Sequence, residues 1–174
     1  MESWEEELKY AVDYLNNYEF SEAKTCIDYV LEELGSEAEN HAEVMLAAAK
    51  VYHNLPTSMA SPELYDEEVQ QAPSICDITE GNLRKAIEYA EKAMNINPAM
   101  KEEALDIIVL CYNFQAEKLF TIGEESLSHS RLNQSIGYLE ELIKMNPAEE
   151  SYRNTLKQVK ELTDYAMEGS NTLE

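Results

Sequence analysis

Basic residues are scarce in this chain: 13 Lys and Arg stand against 35 Asp and Glu in 174 residues, for a formal net charge of -22. Nucleic acid needs the opposite sign on its ligand, and an anionic membrane surface repels such a chain for the same reason. Long apolar runs are missing too. None approaches the roughly 18 residues of a spanning helix, so no membrane insertion is expected. Glycine is sparse and scattered singly, which leaves no Gly-rich phosphate loop, and there is no G-x-S-x-G nucleophile elbow. His41, His53 and His129 are the only histidines, and none lies in an H-E-x-x-H or C-x-x-C setting. The expected catalytic residues, metal ligands and cofactors are therefore none. Carboxylate pairs occur throughout, so the set Glu63, Asp66, Glu67 and Glu68 reads as a solvated acidic helix face. Cys26, Cys76 and Cys111 are odd in number and far apart, as core thiols of a reducing compartment are. Met1-Glu-Ser-Trp-Glu-Glu-Glu has acid where a secretory or transit signal carries basic residues, and a cytoplasmic location is expected.

What is present is helix-forming sequence. The acid is mostly Glu, and Gly and Pro number only five each, which favours an all-α protein over disorder. Trp4, Leu8, Ala11, Val12 and Leu15 recur at helical spacing over about 3–17. Phe20, Ala23, Ile27, Val30, Leu31 and Leu34 mark a second helix, closed by Gly35. Ser36 with Glu39 reads as the capping box of a third, which stops at Pro56. Ser61-Pro62 predicts a short helix at about 62–71, and Asp77 with Glu80 caps a fourth to about Asn95. Asn97-Pro98 opens a fifth, whose apolar spacing overruns to about residue 125. Ser130 opens a sixth, and Asn146-Pro147 the last, with Tyr152, Leu156, Val159, Thr163 and Ala166 on one stripe and polar residues elsewhere. The reading is about seven main helices in one domain over 1–168, with an insert at 56–80 and a flexible tail at 169–174.

Two stretches repeat one pattern. Ala86, Ala93 and Pro98 match Ser135, Leu142 and Pro147: a small residue, an apolar one seven positions later and a proline twelve positions later. Ala23, Val30 and Gly35 follow the same spacing with Gly for Pro. In the helices before these, Ala11 with Tyr14, Ala49 with Tyr52 and Val109 with Tyr112 pair a small or apolar residue with a Tyr three later. The chain resembles the tetratricopeptide repeat family on these residues, as three helix pairs and a capping helix. A helical bundle without repeats would share the apolar stripes but not the matched spacing. The repeats depart from the regular period of about 34 residues: the links within the second and third pairs are long. The 56–80 insert is expected to cover the overrun of the fifth helix, with Leu64, Val69, Ile75 or Ile78 meeting Leu119 or Phe120.

The resemblance implies an antiparallel helix-pair solenoid that binds a protein segment along the first helix of each pair. It places Glu5, Leu8, Val12, Asn16, Glu43, Leu46, Lys50, Asn54, Glu103, Asp106, Leu110 and Asn113 in that groove. Family members that grip acidic chaperone tails use a Lys, Asn and Arg clamp. Here the matching positions hold Leu8, Val12, Ala47, Glu103 and Ile107, so the clamp is missing and a basic or amphipathic protein or peptide fits better. The reading is a non-catalytic interaction module. Two alternatives stay open: a secretion-type or co-chaperone-like protein holding an apolar client, and a self-associating structural subunit, so a homo-oligomer is allowed.

Overall fold

The computed structural model describes residues 2–59, 73–121 and 123–171. Among them are seven α-helices and no strand: α1 (Trp4–Asn16), α2 (Phe20–Leu34), α3 (Ala42–Met59), α4 (Pro73–Ile96), α5 (Lys101–Thr121), α6 (Glu125–Met145) and α7 (Glu150–Asn171). Short 3-10 turns at Gly35–Asn40 and Pro98–Met100 lead into α3 and α5. The fold is all-α and packs helix on sequence-adjacent helix, as in a helix-pair solenoid: α1 on α2, α2 on α3, α3 on α4, α5 on α6 and α6 on α7. The contacts group the chain into two compact units, Met1–Ile107 and Ile108–Glu174, whose border falls within α5, where the sequence draws one domain.

In the first unit α1 begins at a full capping box. Ser3 Oγ accepts from the Glu6 N–H at 3.4 Å, and the Glu6 carboxylate accepts from the Ser3 N–H at 3.2 Å. Two of the four N–H groups that a helix start leaves unpaired are thereby satisfied. α1 packs on α2, α2 on α3, and α3 on both α4 and α1. With neighbours on several sides, α3 is buried almost all round, from Val44 to Ala49 and again at Val51, Tyr52 and Leu55. The small residues of the repeated pattern lie where helices approach: Ala11, Ala23, Ala49, Ala86 and Ala93 have no exposed surface.

In the second unit Ile108, Leu139 and Leu142 are fully buried, and Ser135 stands where the preceding pair has Ala86. Ser128 Oγ donates to the Ala116 carbonyl at 2.7 Å, joining α6 to α5. α7 packs on α6 through its apolar stripe, with Val159 and Thr163 buried.

Several expected boundaries move. Ser36 caps nothing: Gly35, at φ 53, turns the chain into a 3-10 segment pinned by buried Ala38, and α3 starts only at Ala42. Pro56 does not end α3, which runs on to Met59. α4 starts at Pro73 rather than Asp77, since proline's fixed φ suits a first helical position. α5 stops at Thr121 rather than 125. There Gly123, at φ 84, lets its N–H reach the Phe120 carbonyl and the Glu124 N–H reach that of Leu119, the paired bonds of a Schellman turn. That turn delivers the chain straight into α6 at Glu125, so Ser130 is interior. Asn146 terminates α6, and α7 starts at Glu150 and continues to Asn171, past the expected end at 168. The expected helix at 62–71, the set Glu63, Asp66, Glu67 and Glu68, and the packing of the insert lie outside the described residues.

Candidate interaction surface

α1, α3 and the start of α5 carry ten of the twelve residues singled out from the sequence, all in the first unit. Glu5, Val12 and Asn16 are exposed on α1, with Leu8 half-buried between them. On α3 Glu43 is exposed, Lys50 and Asn54 are half-buried, and Leu46 is buried at 7% exposure, so it belongs to the core of this unit. Glu103 is exposed and Asp106 half-buried on α5. Two contacts link this region: the Trp4 ring of α1 lies 4.9 Å from that of His41, just before α3, and Lys50 of α3 forms an ion pair with Glu103 of α5. That pair is part-exposed and worth about 0–1 kcal/mol. Asn54 Nδ2 donates to the Lys50 carbonyl at 2.7 Å. Glu5, Glu43 and Glu103 each sit in the first turn of their helix, where a carboxylate also complements the helix dipole.

The other two residues lie in the second unit. Leu110 is 42% exposed on α5. Asn113 is half-buried, and its Oδ1 accepts from Ser135 Oγ at 2.6 Å.

Tyrosine clusters that the sequence reading leaves out organise both units. In the first, Tyr52 Oη donates to Asp28 Oδ1 at 2.6 Å while Lys24 pairs with the same carboxylate. The Tyr89 ring lies 5.8 Å from that of Tyr52, and Lys24 and Lys85 place their Nζ atoms 5.9 and 5.1 Å from the centre of the Tyr52 ring. Burial, then the hydrogen bond to Asp28, push the Tyr52 hydroxyl well above the usual tyrosine range. In the second unit Tyr112 stacks on Tyr138 at 5.8 Å, with the Arg131 guanidinium 5.8 Å from the Tyr112 centre. The signal was available: Tyr89 and Tyr138 each follow the small residue of the repeated pattern by three positions.

Burial, followed by a hydrogen bond to Glu7, pushes the Cys26 thiol up to about 11, and burial alone pushes Cys111 up to about 12. Both stay protonated at neutral pH, the unreactive form of a thiol; Cys111 is buried in the core and Cys26 half-buried. Among the described residues no group of three His, Cys, Asp or Glu is placed to hold a metal ion, and no helix is long and apolar enough to cross a membrane. Comparison with protein-family models, with curated proteins and with solved structures finds no match to this chain.

Proposed function

We propose that the chain is a non-catalytic, tetratricopeptide-like interaction module of the cytoplasm whose first unit binds a basic or amphipathic protein segment along α1, α3 and the start of α5. The observation that carries this reading is the set of acidic and apolar side chains on that unit: exposed Glu5 and Val12 on α1 with half-buried Leu8 between them, then exposed Glu43 on α3 and Glu103 on α5. A cationic segment meets carboxylates there, and its apolar side chains meet Leu8 and Val12. Attraction between opposite charges speeds association and fades as salt shortens its reach to about 8 Å at physiological ionic strength.

Glu103 is a poor residue to reverse, since a Lys there would face Lys50. Glu5 and Glu43 make the cleaner test. Trp4, the only tryptophan, is on α1 beside them and reports binding by its own fluorescence. A Lys-rich amphipathic peptide should bind, its Glu-substituted counterpart should not, and Glu5→Gln with Glu43→Gln should weaken binding several-fold while helix content stays the same. Equal binding of both peptides, or no effect of the double substitution and of salt, would overturn the reading.

A further inference from the structure

α7 turns Val159 and Thr163 inward, and Thr163 Oγ donates to the Val159 carbonyl within the helix. About a third of a turn round, Arg153, Leu156, Lys157, Lys160, Glu161 and Asp164 line a shallow hollow formed by α7 alone. Lys157, Lys160, Glu161 and Asp164 are exposed. Ion pairs elsewhere among the described residues include Lys24–Asp28, Lys50–Glu103, Arg84–Glu80 and Lys92–Glu39, and these four residues enter none of those. Their order is the notable feature: cations come first along the helix and carboxylates follow. Lys157 with Glu161, and Lys160 with Asp164, have the spacing of helical ion pairs but the weaker orientation, since a helix favours the acidic partner on the N-terminal side. Three of the chain's 13 basic residues gather here, although the whole molecule carries a net charge of -22.

A face that is basic at one end and acidic at the other complements itself when one copy is turned through two-fold symmetry. We propose that a second copy of this chain docks on this face, the two α7 helices running antiparallel about an axis that passes between Lys160 and Glu161. In that register Lys157 of each copy faces Asp164 of the other, and Lys160 faces Glu161 of the other. Parallel docking would set like charge on like charge. Leu156 and the lysine stems supply the apolar part of the contact. Such an interface is isologous, each residue serving both copies. One helix face is less than the area of a standard stable interface, so the dimer is weak and depends on low salt. The face shares no residue with the acidic set of the first unit, and each proposal can fail without the other.

The test is sedimentation equilibrium of the full chain at about 20 mM and about 500 mM salt, conditions on either side of strong screening. The wild type should dimerise at low salt and dissociate at high salt. Lys157→Glu with Lys160→Glu leaves Arg153 as the one cation of the face beside four carboxylates, and Glu161→Lys with Asp164→Lys makes its charged residues all basic; each variant alone should be monomeric. Mixed together, the two should form a heterodimer at least tenfold tighter than the wild-type dimer. Circular dichroism checks that these exposed changes leave the helices intact. A wild type that stays monomeric at low salt overturns the proposal, as does a mixture that fails to associate. Undiminished dimerisation of the Glu161→Lys, Asp164→Lys variant would also overturn it, because the basic half would then be using some other acidic surface.

Discussion

The second and third helix pairs set tyrosines in the same two places and hold them differently. In α3 and α4 the rings of Tyr52 and Tyr89 are tilted by 37°, and the Tyr52 hydroxyl is fixed by Asp28 of α2. In α5 and α6 the rings of Tyr112 and Tyr138 lie nearly parallel, at 7°. The neighbouring positions diverge in the same way. Ala86 and His53 of the second pair correspond to Ser135 and Asn113 of the third, where a hydroxyl-to-amide hydrogen bond crosses between the helices. A single packing scheme is thus closed in one pair by an aromatic and charged cluster that reaches a third helix, and in the other by a ring stack and a neutral hydrogen bond. Position within the pair fixes where the tyrosines meet. What lies beside them fixes the angle and the polar partner.

The largest expected difference between the pairs is at the hydroxyl. Tyr52→Phe leaves Asp28 without a donor that is 2.6 Å away, and hydrogen bonds to charged groups are worth about 1.5–3 kcal/mol. The Asp28 side chain is 39% exposed, so water recovers part of this and the low end, about 1.5 kcal/mol, is expected. Tyr138→Phe keeps the stacked ring and should cost under about 0.5 kcal/mol, the range of changes that spare the packing. Urea unfolding of the two variants measures the contrast. Equal losses would mean that the rings, and not the hydroxyl bond, carry the Tyr52 cluster.

The turns that end α1 and α5 make a second contrast. Both are Schellman turns: Tyr18 and Glu19 donate to Leu15 and Tyr14 as Gly123 and Glu124 donate to Phe120 and Leu119. One is closed by Gly123 at φ 84, the other by Tyr18 at φ 61, with 80% of its surface exposed. A left-handed backbone costs an L-residue about 1–2 kcal/mol. The Tyr18 ring recovers some of that edge-on against Phe20, with centres 6.2 Å apart, a contact worth about 0.5–1.5 kcal/mol. Nothing would obstruct a Cβ at position 123, so Gly123→Ala should lose about 1 kcal/mol from backbone strain alone. Tyr18→Gly should raise the melting temperature or leave it unchanged. A clear fall would show that the Phe20 contact outweighs the strain.

Much of this fold is legible in the sequence, because the apolar spacing that makes a helix also says which face is buried. The seven helices, the buried alanines at 11, 23, 49, 86 and 93, and the inward Val159 and Thr163 of α7 follow from that spacing, whereas Leu162 is exposed where only polar residues are expected. Helix starts were less readable. Ser36, Asp77 and Ser130 are good capping residues by type, yet Gly35, Pro73 and the Gly123 turn decide where α3, α4 and α6 begin, since backbone geometry acts before a side chain can cap. Among the surface residues, Leu46 looks like its neighbours on α3 but is buried, because several helices pack round α3 and no stripe on α3 itself records that. The ion pair of Lys50 with Glu103 joins residues far apart in sequence, and no local pattern announces it.

The smallest expected difference concerns pH, and it again separates the second pair from the third. His53 follows Tyr52 as Asn113 follows Tyr112, so one pair carries a titratable ring where the other has an amide. Burial disfavours the charged imidazolium and holds the His53 pKa below its ordinary value of 6.5. The sign follows from proton uptake. At pH values below about 6.5 the unfolded chain binds a proton at His53 that the folded chain resists, so the stability this residue contributes above that pH is lost as pH falls through the folded pKa. Lower pH also relieves repulsion among the carboxylates of a chain with net charge -22, which pushes the other way, so the comparison must be between variants and not between pH values alone. His53→Asn, which copies the third pair, removes only the histidine's share. Between about pH 7.5 and 5.5 the variant should lose less stability, or gain more, than the wild type, by about 1 kcal/mol or less, since a full unit of pKa shift corresponds to about 1.4 kcal/mol. Urea unfolding at the two pH values measures this. Identical pH dependence in both proteins would mean that the His53 ring can take up its proton in the folded state, turning to water at no cost to the packing round Tyr52.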